Sequence, residues 1–378
     1  MIDRILKETI EKHLFTGKAI ILMGSRQTGK TSLLEQLFPK NDDTIWLNGD
    51  DIATQTLMEN MSAARLQQIL GGKRLLIIDE AQRIKDIGLR MKLVTDQIKD
   101  VQLVATGSSS FELANRLNEP LTGRKWEYRM FPLSFAEMAK HHGLLNELTL
   151  IPHRMVYGYY PEVVTSAGNE TEVLRQLTDS YLYRDLFALD NVKKSDKLVL
   201  LLKALAYQVG SQISYSELAG TVGIDAKTVE TYINVLEKAY IIFRLPSYSR
   251  NMRSELKHSK KIYFYDNGVR NALISGFSQV ENRMDTGALW ENFIVAERMK
   301  YNEYYGHWCN TYFWRTQEQK EIDYLEEYDG KLHAYEFKYN HKKQVTVPKN
   351  FTAAYPDAEF NVITPDNIER FVLPPSER

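Results

Sequence analysis

Short apolar runs alternate with longer segments of helical spacing over the first third of the chain. The runs AIILM, TIWLN, RLLIID and VQLVATG each have the length of one strand, and apolar residues recur at intervals of three and four between them. Parallel strands connected by helices produce this alternation because both faces of such a sheet are covered. The pattern predicts an α/β domain with a parallel sheet over residues 1–130.

Three further regions follow with different patterns. Residues 131–195 have helical spacing and few strand signals, which predicts a helical linker or lid region. Residues 196–255 contain three helix patterns separated by Gly, Ser or Asp and then a strand, which suggests a winged helix. Residues 256–378 contain the strand KIYFYD, a long helix pattern, and the strands TYFWR, EIDYLEEY and LHAYEFKY. They predict a C-terminal α/β domain.

Composition and charge exclude a few classes of protein. Of the 378 residues, 43% are hydrophobic and 26% are charged, and the formal net charge is -1, so that any nucleic-acid surface has to be a local patch. The single cysteine, Cys309, excludes an intramolecular disulfide and fits a reducing compartment. No apolar run reaches the roughly 18 to 20 residues of a membrane helix, and the N-terminus lacks the pattern of a signal peptide. We therefore expect a cytoplasmic protein without a membrane segment.

The clearest chemical motif begins at Gly24. The segment GSRQTGKT matches the pattern G-x-x-x-x-G-K-[ST], follows the run AIILM and precedes the helix pattern TSLLEQLF. In this context the backbone amides and the helix N-terminus face phosphates, Lys30 supplies a positive charge, and the hydroxyl of Thr31 ligates Mg²⁺. The motif predicts that the chain binds ATP with Mg²⁺. The predicted nucleotide-binding residues are Gly24, Ser25, Arg26, Gln27, Thr28, Gly29, Lys30, Thr31 and Ser32.

An acidic pair closes the third apolar run. RLLIID ends in Asp79, and Glu80 follows it. Because the carboxyl ends of parallel strands meet at one edge of a sheet, Asp79 is expected beside the magnesium held by Thr31. Glu80 is then within reach of the water that attacks the γ-phosphate, and we assign it as the general base. The alternative is a solvated strand end without a catalytic role.

Two further polar groups are candidates for the same site. Ser108, Ser109 and Ser110 follow the run VQLVATG, and Ser108 is the candidate for a polar side chain between the carboxylate and the γ-phosphate. A plain serine-rich turn is the alternative. Arg124, in LTGRK, is the candidate for an arginine finger that enters the site of a neighbouring subunit in a homo-oligomer. Arg116 competes with it, and a structural salt bridge is the alternative for both.

Taken together, these motifs resemble those of AAA+ ATPases. The resemblance rests on the loop at Gly24, the acidic strand end at Asp79, the TGSS segment at Thr106 and the LTGR segment. Two more segments, GYYPEVV and YLYRDL, look like the linking motifs of a widespread prokaryotic AAA+ family that has an uncharacterised C-terminal domain. The resemblance therefore extends over nearly the whole chain. It implies an AAA-type core, a winged helix and a C-terminal domain similar to PD-(D/E)xK nucleases, which have a restriction-endonuclease-like fold.

The resemblance has one limit. AAA+ remodelling enzymes carry an arginine in a helical lid, and this chain has no clear equivalent. We therefore do not infer a closed hexamer from the resemblance.

The last two strand patterns carry residues typical of a PD-(D/E)xK site. Asp323 lies in EIDYLEEY, and Glu336, Phe337 and Lys338 lie in LHAYEFKY. Alternation along a strand puts Glu336 and Lys338 on one face and Phe337 in the core. In such a site Asp323 and Glu336 hold Mg²⁺, while Lys338 positions or activates the attacking water, and Glu291 on the preceding helix is a further acidic member. A retained fold without activity and a surface salt-bridge lattice are the alternatives.

Two basic clusters favour contact with the phosphates of DNA. Their members are Arg250, Arg253, Lys257, Lys260 and Lys261 in one cluster and His341, Lys342 and Lys343 in the other. In the helix pattern DAKTVETYINVLEKA, the residues Lys227, Thr228 and Tyr232 are candidates to face a groove. Solvated loops, and a winged helix that binds protein, are the alternatives.

These patterns lead to one main hypothesis and two alternatives. The main hypothesis is an ATPase that couples ATP binding and hydrolysis to DNA binding and to metal-dependent DNA cleavage, with ATP and Mg²⁺ as cofactors. One alternative is an ATP-driven switch that acts on a protein partner and carries an inactive nuclease-like domain. The other is a degenerate binding module that hydrolyses ATP and cleaves nothing.

Overall fold

The computed structural model describes residues 2–59, 61–107, 121–182, 195–248, 260–340 and 345–377. The chain divides into two compact units. The first unit consists of Met1–Pro132 together with Lys238–Tyr240, and the second consists of Leu133–Glu237 together with Ile241–Arg378.

The first unit alternates strands with helices. Its elements in chain order are α1 (Leu6–Lys12), β1 (Ala19–Met23), α2 (Lys30–Leu37), β2 (Thr44–Asn48), α3 (Ile52–Glu59), α4 (Ala63–Leu70), β3 (Leu75–Asp79), α5 (Ile87–Gln97), β4 (Gln102–Gly107) and β5 (Lys125–Arg129). The strands β1 to β5 form one parallel sheet in the order β2-β3-β4-β1-β5. The predicted α/β domain with a parallel sheet is thus confirmed.

The strand order determines which residues meet at the carboxyl edge of this sheet. Strands β1, β3 and β4 lie in the middle and are almost entirely buried, which agrees with their uninterrupted apolar runs. Strand β4 lies between β1 and β3. The loop that follows β1 therefore faces the end of β3 across the end of β4, and this edge is where α/β sheets bind their ligands.

The second unit begins with helices and ends with a mixed sheet. Its first elements are α6 (Phe135–His142), α7 (Leu144–Thr149), α8 (Ile151–Tyr157), α9 (Pro161–Thr165), α10 (Glu170–Gln176), α11 (Ser195–Tyr207), β6 (Gln212–Ile213), α12 (Tyr215–Val222), α13 (Ala226–Lys238) and β7 (Ile242–Pro246). They are followed by β8 (Lys260–Phe264), α14 (Asn267–Leu273), α15 (Thr286–Tyr304), β9 (Asn310–Arg315), β10 (Glu321–Tyr328), β11 (Lys331–Phe337), α16 (Lys349–Ala354), β12 (Glu359–Ile363) and α17 (Glu369–Val372).

Two sheets are present in the described part of the second unit. Strands β6, β8 and β7 form an antiparallel sheet with β8 in the centre. Strands β9, β10 and β11 form an antiparallel meander, and β12 pairs in parallel with β11. Helix α15 precedes this meander, and α16 connects β11 to β12.

Strand β10 contains an irregularity. Its register against β9 shifts between Ile322 and Leu325. Both of these side chains enter one apolar cluster with Trp314 and Phe351, although they are three positions apart. A regular strand would send them to opposite faces, so the shift acts as a bulge that changes the direction of the residues between them. One of those residues is Asp323.

The segment GYYPEVV has a steric role in the second unit. Gly158 has a φ of +71°, and a Cβ atom there would collide with the carboxylate of Asp266. That carboxylate accepts hydrogen bonds from the N–H groups of Tyr159, at 2.6 Å, and Val269, at 3.0 Å. Gly268 likewise has no room for a side chain, because the main chain at the end of α8 passes close to it. The two glycines therefore allow α8 and α14 to approach each other.

None of the helices in the described ranges combines the length and the apolar character needed to cross a lipid bilayer.

Candidate nucleotide site and carboxylate cluster

The loop after β1 has steric reasons to carry glycines. Gly24 lies so close to the carbonyl oxygen of Met130 that a Cβ atom at this position would collide with it. Gly29, with a φ of +92°, is the residue at the N-terminal boundary of α2. Helix α2 begins directly after the loop, and the N-terminus of a helix favours the binding of an anion.

Lys30 is held inside the loop. Its side chain is buried, and its Nζ donates hydrogen bonds to the carbonyl oxygens of Gly24, at 2.9 Å, and Ser25, at 2.7 Å. The hydroxyl of Thr28 closes the loop by donating to the carbonyl of Ser25 at 2.9 Å. The guanidinium of Arg4 also stabilises the loop, because it donates a hydrogen bond to the carbonyl of Thr28 at 2.7 Å. The position of the ammonium group is therefore fixed by the folded loop.

The carboxylate at the end of β3 is linked both to the loop and to β4. Oδ2 of Asp79 accepts a hydrogen bond from the hydroxyl of Thr31 at 2.9 Å. Oδ1 of Asp79 accepts from the hydroxyl of Thr106 and, at 3.1 Å, from the N–H of Glu80. Thr106 is fully buried near the end of β4. The structure thus brings the predicted Thr31 and Asp79 together at the carboxyl edge of the sheet.

Glu80 leaves β3 in a left-handed backbone conformation. Its φ is +49°, which costs a non-glycine residue about 1–3 kcal/mol unless its surroundings impose it. Its N–H lies 3.1 Å from the hydroxyl of Thr106, and its carboxylate accepts from Nε2 of Gln82 at 2.5 Å. Its carbonyl packs so closely on Gly49 that a side chain at position 49 would collide with it. These contacts impose the conformation and direct the Glu80 side chain.

Thr106 is the hydroxyl that the described structure brings to Asp79. Ser108, the residue for which the sequence predicts a polar contact near the γ-phosphate, follows Thr106 by two positions. The signal for Thr106 is weak, since it is one polar side chain at the end of a mostly apolar strand. The candidates Ser108, Ser109, Ser110 and Arg116 lie outside the described residues.

Arg124 lies at the opposite edge of the sheet from the loop. Its carbonyl accepts a hydrogen bond from the N–H of Ala19, the first residue of β1. Because β1 has five residues, about 16 Å separate this edge from Gly24. The guanidinium Nε is 2.6 Å from Oδ1 of Asp96. Arg124 therefore does not reach the loop of its own unit, and the ion pair predicted as the alternative is the contact that it makes.

The donor set at this edge fits ATP with magnesium. Mg²⁺ prefers oxygen ligands and keeps several waters, and the hydroxyl of Thr31 and the carboxylate of Asp79 offer oxygens 2.9 Å apart. The ammonium of Lys30 and the first amides of α2 are groups that bind phosphate oxygens. This region therefore has the groups required for a magnesium-nucleotide site.

A second group of charged side chains lies on the hairpin of β10 and β11. Oδ2 of Asp323 accepts a hydrogen bond from the N–H of Phe337 at 2.8 Å. Nζ of Lys338 is 2.6 Å from Oε1 of Glu336 and 3.9 Å from Oδ2 of Asp323. The side chain of Phe337 is buried. The structure thus brings Asp323, Glu336 and Lys338 together and leaves Phe337 in the core.

Strand β8 and helix α15 add residues to this group. Lys261, on β8, is only 2% exposed, and its Nζ lies 2.8 Å from Oε1 of Glu291 and in contact with the carboxylate of Glu321. The hydroxyl of Tyr263 donates to the same oxygen of Glu291 at 2.6 Å. The prediction that Lys261 contacts DNA phosphates is wrong, because its ammonium is buried between two carboxylates. The six charged side chains, here named the carboxylate cluster, are Lys261, Glu291, Glu321, Asp323, Glu336 and Lys338.

Burial and neighbouring charges perturb the carboxylate cluster. Burial, together with the negative charges of Glu291 and Glu336, raises the pKa of Asp323 to about 8. Burial lowers the pKa of Lys261, but the attraction of Glu291 and Glu321 outweighs it and raises that pKa above its ordinary value. The pKa of Lys338 is raised as well, against burial, by a hydrogen bond to Glu336 and by nearby negative charge. Without a bound cation, Asp323 therefore holds a proton at neutral pH while both lysines stay charged.

We expect the substitution Asp323→Asn to remove a pH dependence from the stability of the protein. An aspartate in the unfolded chain has a pKa of about 3.9. Between there and its folded-state pKa of about 8, the folded protein holds a proton that the unfolded chain lacks. The free energy of unfolding of the wild type therefore falls as the pH rises through this window, by at most about 1.4 kcal/mol per pH unit for one proton. An asparagine has no such proton to lose.

Chemical denaturation in EDTA between about pH 6 and about pH 8 measures this effect. The stability of Asp323→Asn should rise relative to that of the wild type as the pH increases. The matched control is Asp357→Asn, because Asp357 is exposed, and its difference from the wild type should stay constant. A constant difference for Asp323→Asn as well would contradict a raised pKa at Asp323.

A third group of residues has the ligand types of a metal site, but its carboxylate is already paired with an arginine. The ligand atoms of His307, Cys309 and Glu326 lie within 4.8 Å of one another. However, the buried carboxylate of Glu326 binds Nε and Nη2 of Arg298 at 2.8 and 2.7 Å. Burial and the charge of Glu326 raise the pKa of Cys309 to about 12, which disfavours the thiolate that metals bind. We interpret this group as a buried ion pair.

The predicted DNA contacts are only partly within the described residues. Tyr232 on α13 is buried, so the prediction that it faces a groove is wrong. The N–H of Thr228 donates to Oδ1 of Asp225 at 2.9 Å at the start of this helix, and Lys227 is exposed. Arg250, Arg253, Lys257, His341, Lys342 and Lys343 lie outside the described residues.

Comparison with known families agrees with the fold of the first unit. Residues 16–139 match a family described as AAA domain. Residues 148–280 match a domain of unknown function (DUF8612), and residues 286–372 match a second domain of unknown function (DUF4143). The first of these regions is therefore similar to an AAA domain, and the two regions that follow are similar to domains of unknown function.

Individual relatives are distant. An uncharacterized protein of Mycobacterium tuberculosis is 25% identical over 337 residues, which are 87% of this chain and 72% of that protein. An uncharacterized protein of Methanocaldococcus jannaschii is 23% identical, over 78% of this chain and 69% of that protein. Among solved structures, the Walker-type ATPase of Pyrococcus abyssi has a TM-score of 0.52 and 16% identity, over 72% of this chain and 96% of that one. At this identity the likeness concerns the fold, which is that of P-loop ATPases.

Proposed function

We propose that the first unit hydrolyses ATP with magnesium. The observation that carries this proposal is the network in which Asp79 joins the hydroxyls of Thr31 and Thr106 to the N–H of Glu80. The network sets one carboxylate beside the phosphate-binding loop and a second carboxylate one residue further on. This arrangement suits hydrolysis, since one carboxylate serves the metal and the other serves the attacking water.

Each residue of the network has a separate task in this proposal. Lys30 and the first amides of α2 bind the β- and γ-phosphates. Thr31 and Asp79 hold the magnesium, which when bound offsets the negative charge that develops on the phosphates. Glu80 accepts a proton from the attacking water. The hydroxyl of Thr106 fixes the position of Glu80 relative to Asp79, because it donates to Oδ1 of Asp79 and accepts from the N–H of Glu80.

A second proposal assigns DNA binding and metal-dependent phosphodiester cleavage to the second unit. Oδ1 of Asp323 and Oε2 of Glu336 make no hydrogen bond with any part of the chain that the structure describes, which supports their role as oxygen ligands of a divalent cation. The order α15, β9, β10, β11, α16, β12 supports the resemblance to PD-(D/E)xK nucleases. Helices α11 to α13, followed by the paired β7 and β8, support a winged helix that engages DNA.

The residues of this second site have separate roles in the proposed cleavage. Asp323 and Glu336 would hold the cation, which when bound lowers the pKa of its water and neutralises charge at the scissile phosphate. Lys338 lies beside both carboxylates, where its ammonium positions the attacking water and stabilises the developing charge. Glu291 stays with Lys261, and it contributes negative charge rather than a ligand.

The rate of ATP turnover with and without DNA tests both proposals. We expect magnesium-dependent turnover by the full-length wild type and stimulation by duplex or single-stranded DNA, measured at one stated salt concentration because phosphate contacts depend on salt. The substitution Lys30→Ala should abolish turnover, while Lys99→Ala, at an exposed lysine of the same unit, should leave it unchanged.

The outcomes separate the two proposals. Turnover that survives in Lys30→Ala would exclude the proposed ATP site. Turnover that depends on Lys30 but does not respond to DNA would support the first proposal and contradict a coupling of ATP turnover to DNA binding by the second unit. In that case an ATP-driven switch that acts on a protein partner explains the chain better.

A further inference from the structure

We infer that Lys261 is a built-in cation of the carboxylate cluster and that the cluster therefore accepts one divalent cation instead of two. This inference rests on the cleavage site proposed above. It adds to that proposal the number of metal ions and the residue that sets this number. Enzymes that transfer phosphate groups use either one or two metal ions, so the number defines the chemistry that the site performs.

The position of Lys261 carries the argument. Its side chain is 2% exposed, and its Nζ is shared by Glu291 and Glu321, which are 17% and 24% exposed. A metal ion that bound these two carboxylates would have to displace a buried ammonium group. Moving that ammonium away would leave it without its partners in a buried position, which is strongly unfavourable. Glu291 and Glu321 are therefore already paired with a cation that belongs to the chain itself.

Two other carboxylates of the cluster keep oxygens that a cation can use. Asp323 and Glu336 each have one carboxylate oxygen without a hydrogen-bond partner in the described part of the chain. Lys338 lies beside them, and its side chain is 28% exposed, whereas that of Lys261 is 2% exposed. The oxygens of Asp323 and Glu336 therefore remain for one divalent cation, while Lys261 occupies the place where a second one would bind.

The balance of charge leads to the same number. The cluster contains four carboxylates and two ammonium groups, and the guanidinium of Arg315 lies 3.3 Å from the second oxygen of Glu321. A cation that binds Asp323 displaces its proton, so all four carboxylates are then ionised, and with Arg315 included one negative charge remains on the protein. One divalent cation changes this to one positive charge, and a second would give three positive charges in a partly buried site. Repulsion of this kind disfavours the second cation.

The position of Lys261 on strand β8 explains why its side chain enters the carboxylate cluster. Lys261 lies on β8, the central strand of the sheet β6-β8-β7, and not on the four-stranded sheet that carries Asp323 and Glu336. Lys260, its neighbour on the same strand, is less buried and does not take part in the cluster. Strand alternation directs only Lys261 towards the cluster. Lys260 therefore provides a matched control.

The number of Mn²⁺ ions bound by the full-length chain tests the inference. The titration uses the spectroscopic signal of free Mn²⁺, without nucleotide, in a Thr31→Ala, Asp79→Ala background that removes both proposed metal ligands of the first unit. We expect one Mn²⁺ per chain, two per chain after Lys261→Met, and one after Lys260→Met. The combined substitution Asp323→Ala with Glu336→Ala should abolish binding.

Each other outcome overturns a defined part of the argument. Two Mn²⁺ ions in the chain with Lys261 intact would overturn the inference and leave the proposed metal site in place. An absence of binding would overturn the proposed metal site and the inference together. A count that stays at one after Lys261→Met would show that Lys261 does not exclude a second ion.

A second variant keeps the test decisive if Lys261→Met does not fold. Glu291→Gln removes a partner of Lys261 and one negative charge but no proposed ligand, so we expect it still to bind one Mn²⁺, with an affinity lowered only by the lost charge. A loss of binding in Glu291→Gln would place the metal at Glu291 and contradict the inference. Thermal unfolding with and without Mn²⁺ gives an independent readout, since bound metal stabilises only the folded state.

Discussion

Replacement of Glu80 by Gln is expected to leave ATP bound and to slow its hydrolysis by about 10²–10⁴-fold, the usual contribution of a general base. The substitution replaces one carboxylate oxygen of Glu80 by an NH₂ group. The resulting amide cannot accept a proton from water. The hydrogen bonds that Glu80 makes through its N–H, to Asp79 and Thr106, come from the main chain and are retained. The phosphate-binding loop makes its own contacts through Lys30 and is not changed.

Phosphate release and binding of a fluorescent ATP analogue, measured on the same preparation, separate the two effects. Glu35→Gln is the control, because Glu35 is exposed on α2 and close in sequence to the loop. We expect it to bind and hydrolyse ATP as the wild type does. Unchanged turnover in Glu80→Gln would show that another group activates the water. Loss of ATP binding would show that the charge of Glu80 supports binding rather than catalysis.

Replacement of Lys338 by Met is expected to lower metal-dependent DNA cleavage by about 10²–10³-fold, the effect of removing one group that stabilises developing charge. The substitution keeps an unbranched apolar side chain and removes the ammonium that lies 2.6 Å from Glu336. The N–H of Lys338 still donates to the carbonyl of Ile363 at 3.0 Å, so the pairing of β11 with β12 is retained.

Cleavage of supercoiled plasmid in Mg²⁺ or Mn²⁺ gives the measurement, with Lys331→Met as the control. Lys331 is an exposed lysine at the other end of β11. Equal cleavage by the wild type and Lys338→Met would place the activity at another site or in a contaminant. If the wild type does not cleave at all, the proposal for the second unit fails, and the proposal for the ATP site is unaffected.

Features that depend on local sequence could be predicted well. The phosphate-binding loop is a contiguous motif, and Gly24 and Gly29 have reasons to be glycine that belong to the loop itself. The parallel sheet follows from uninterrupted apolar runs, because burial on both faces removes polar residues from the central strands. The proximity of Asp323, Glu336 and Lys338 follows from strand alternation in one hairpin.

Features that depend on strand order or on distant contacts were missed. Thr106 meets Asp79 only because β4 lies between β1 and β3, and the sequence does not give this order. Lys261 lies on a different sheet from Asp323, and the sequence does not show that the two sheets bring them close together. The basic residues around Lys261 therefore predicted a DNA contact, whereas Lys261 forms a buried ion pair. Tyr232 lies on the covered face of α13, and helical periodicity does not say which face a neighbour covers.

The close approach at Gly158 limits what a sequence resemblance in this chain can tell. Any larger residue at this position would push the carboxylate of Asp266 away from the N–H groups of Tyr159 and Val269. The glycine of the segment GYYPEVV is therefore explained by packing within the second unit and requires no contact with a nucleotide. A match to this segment reports on that packing and carries no information on ATP hydrolysis. Nucleotide turnover has to be judged at the position of Glu80, and cleavage at the position of Lys338.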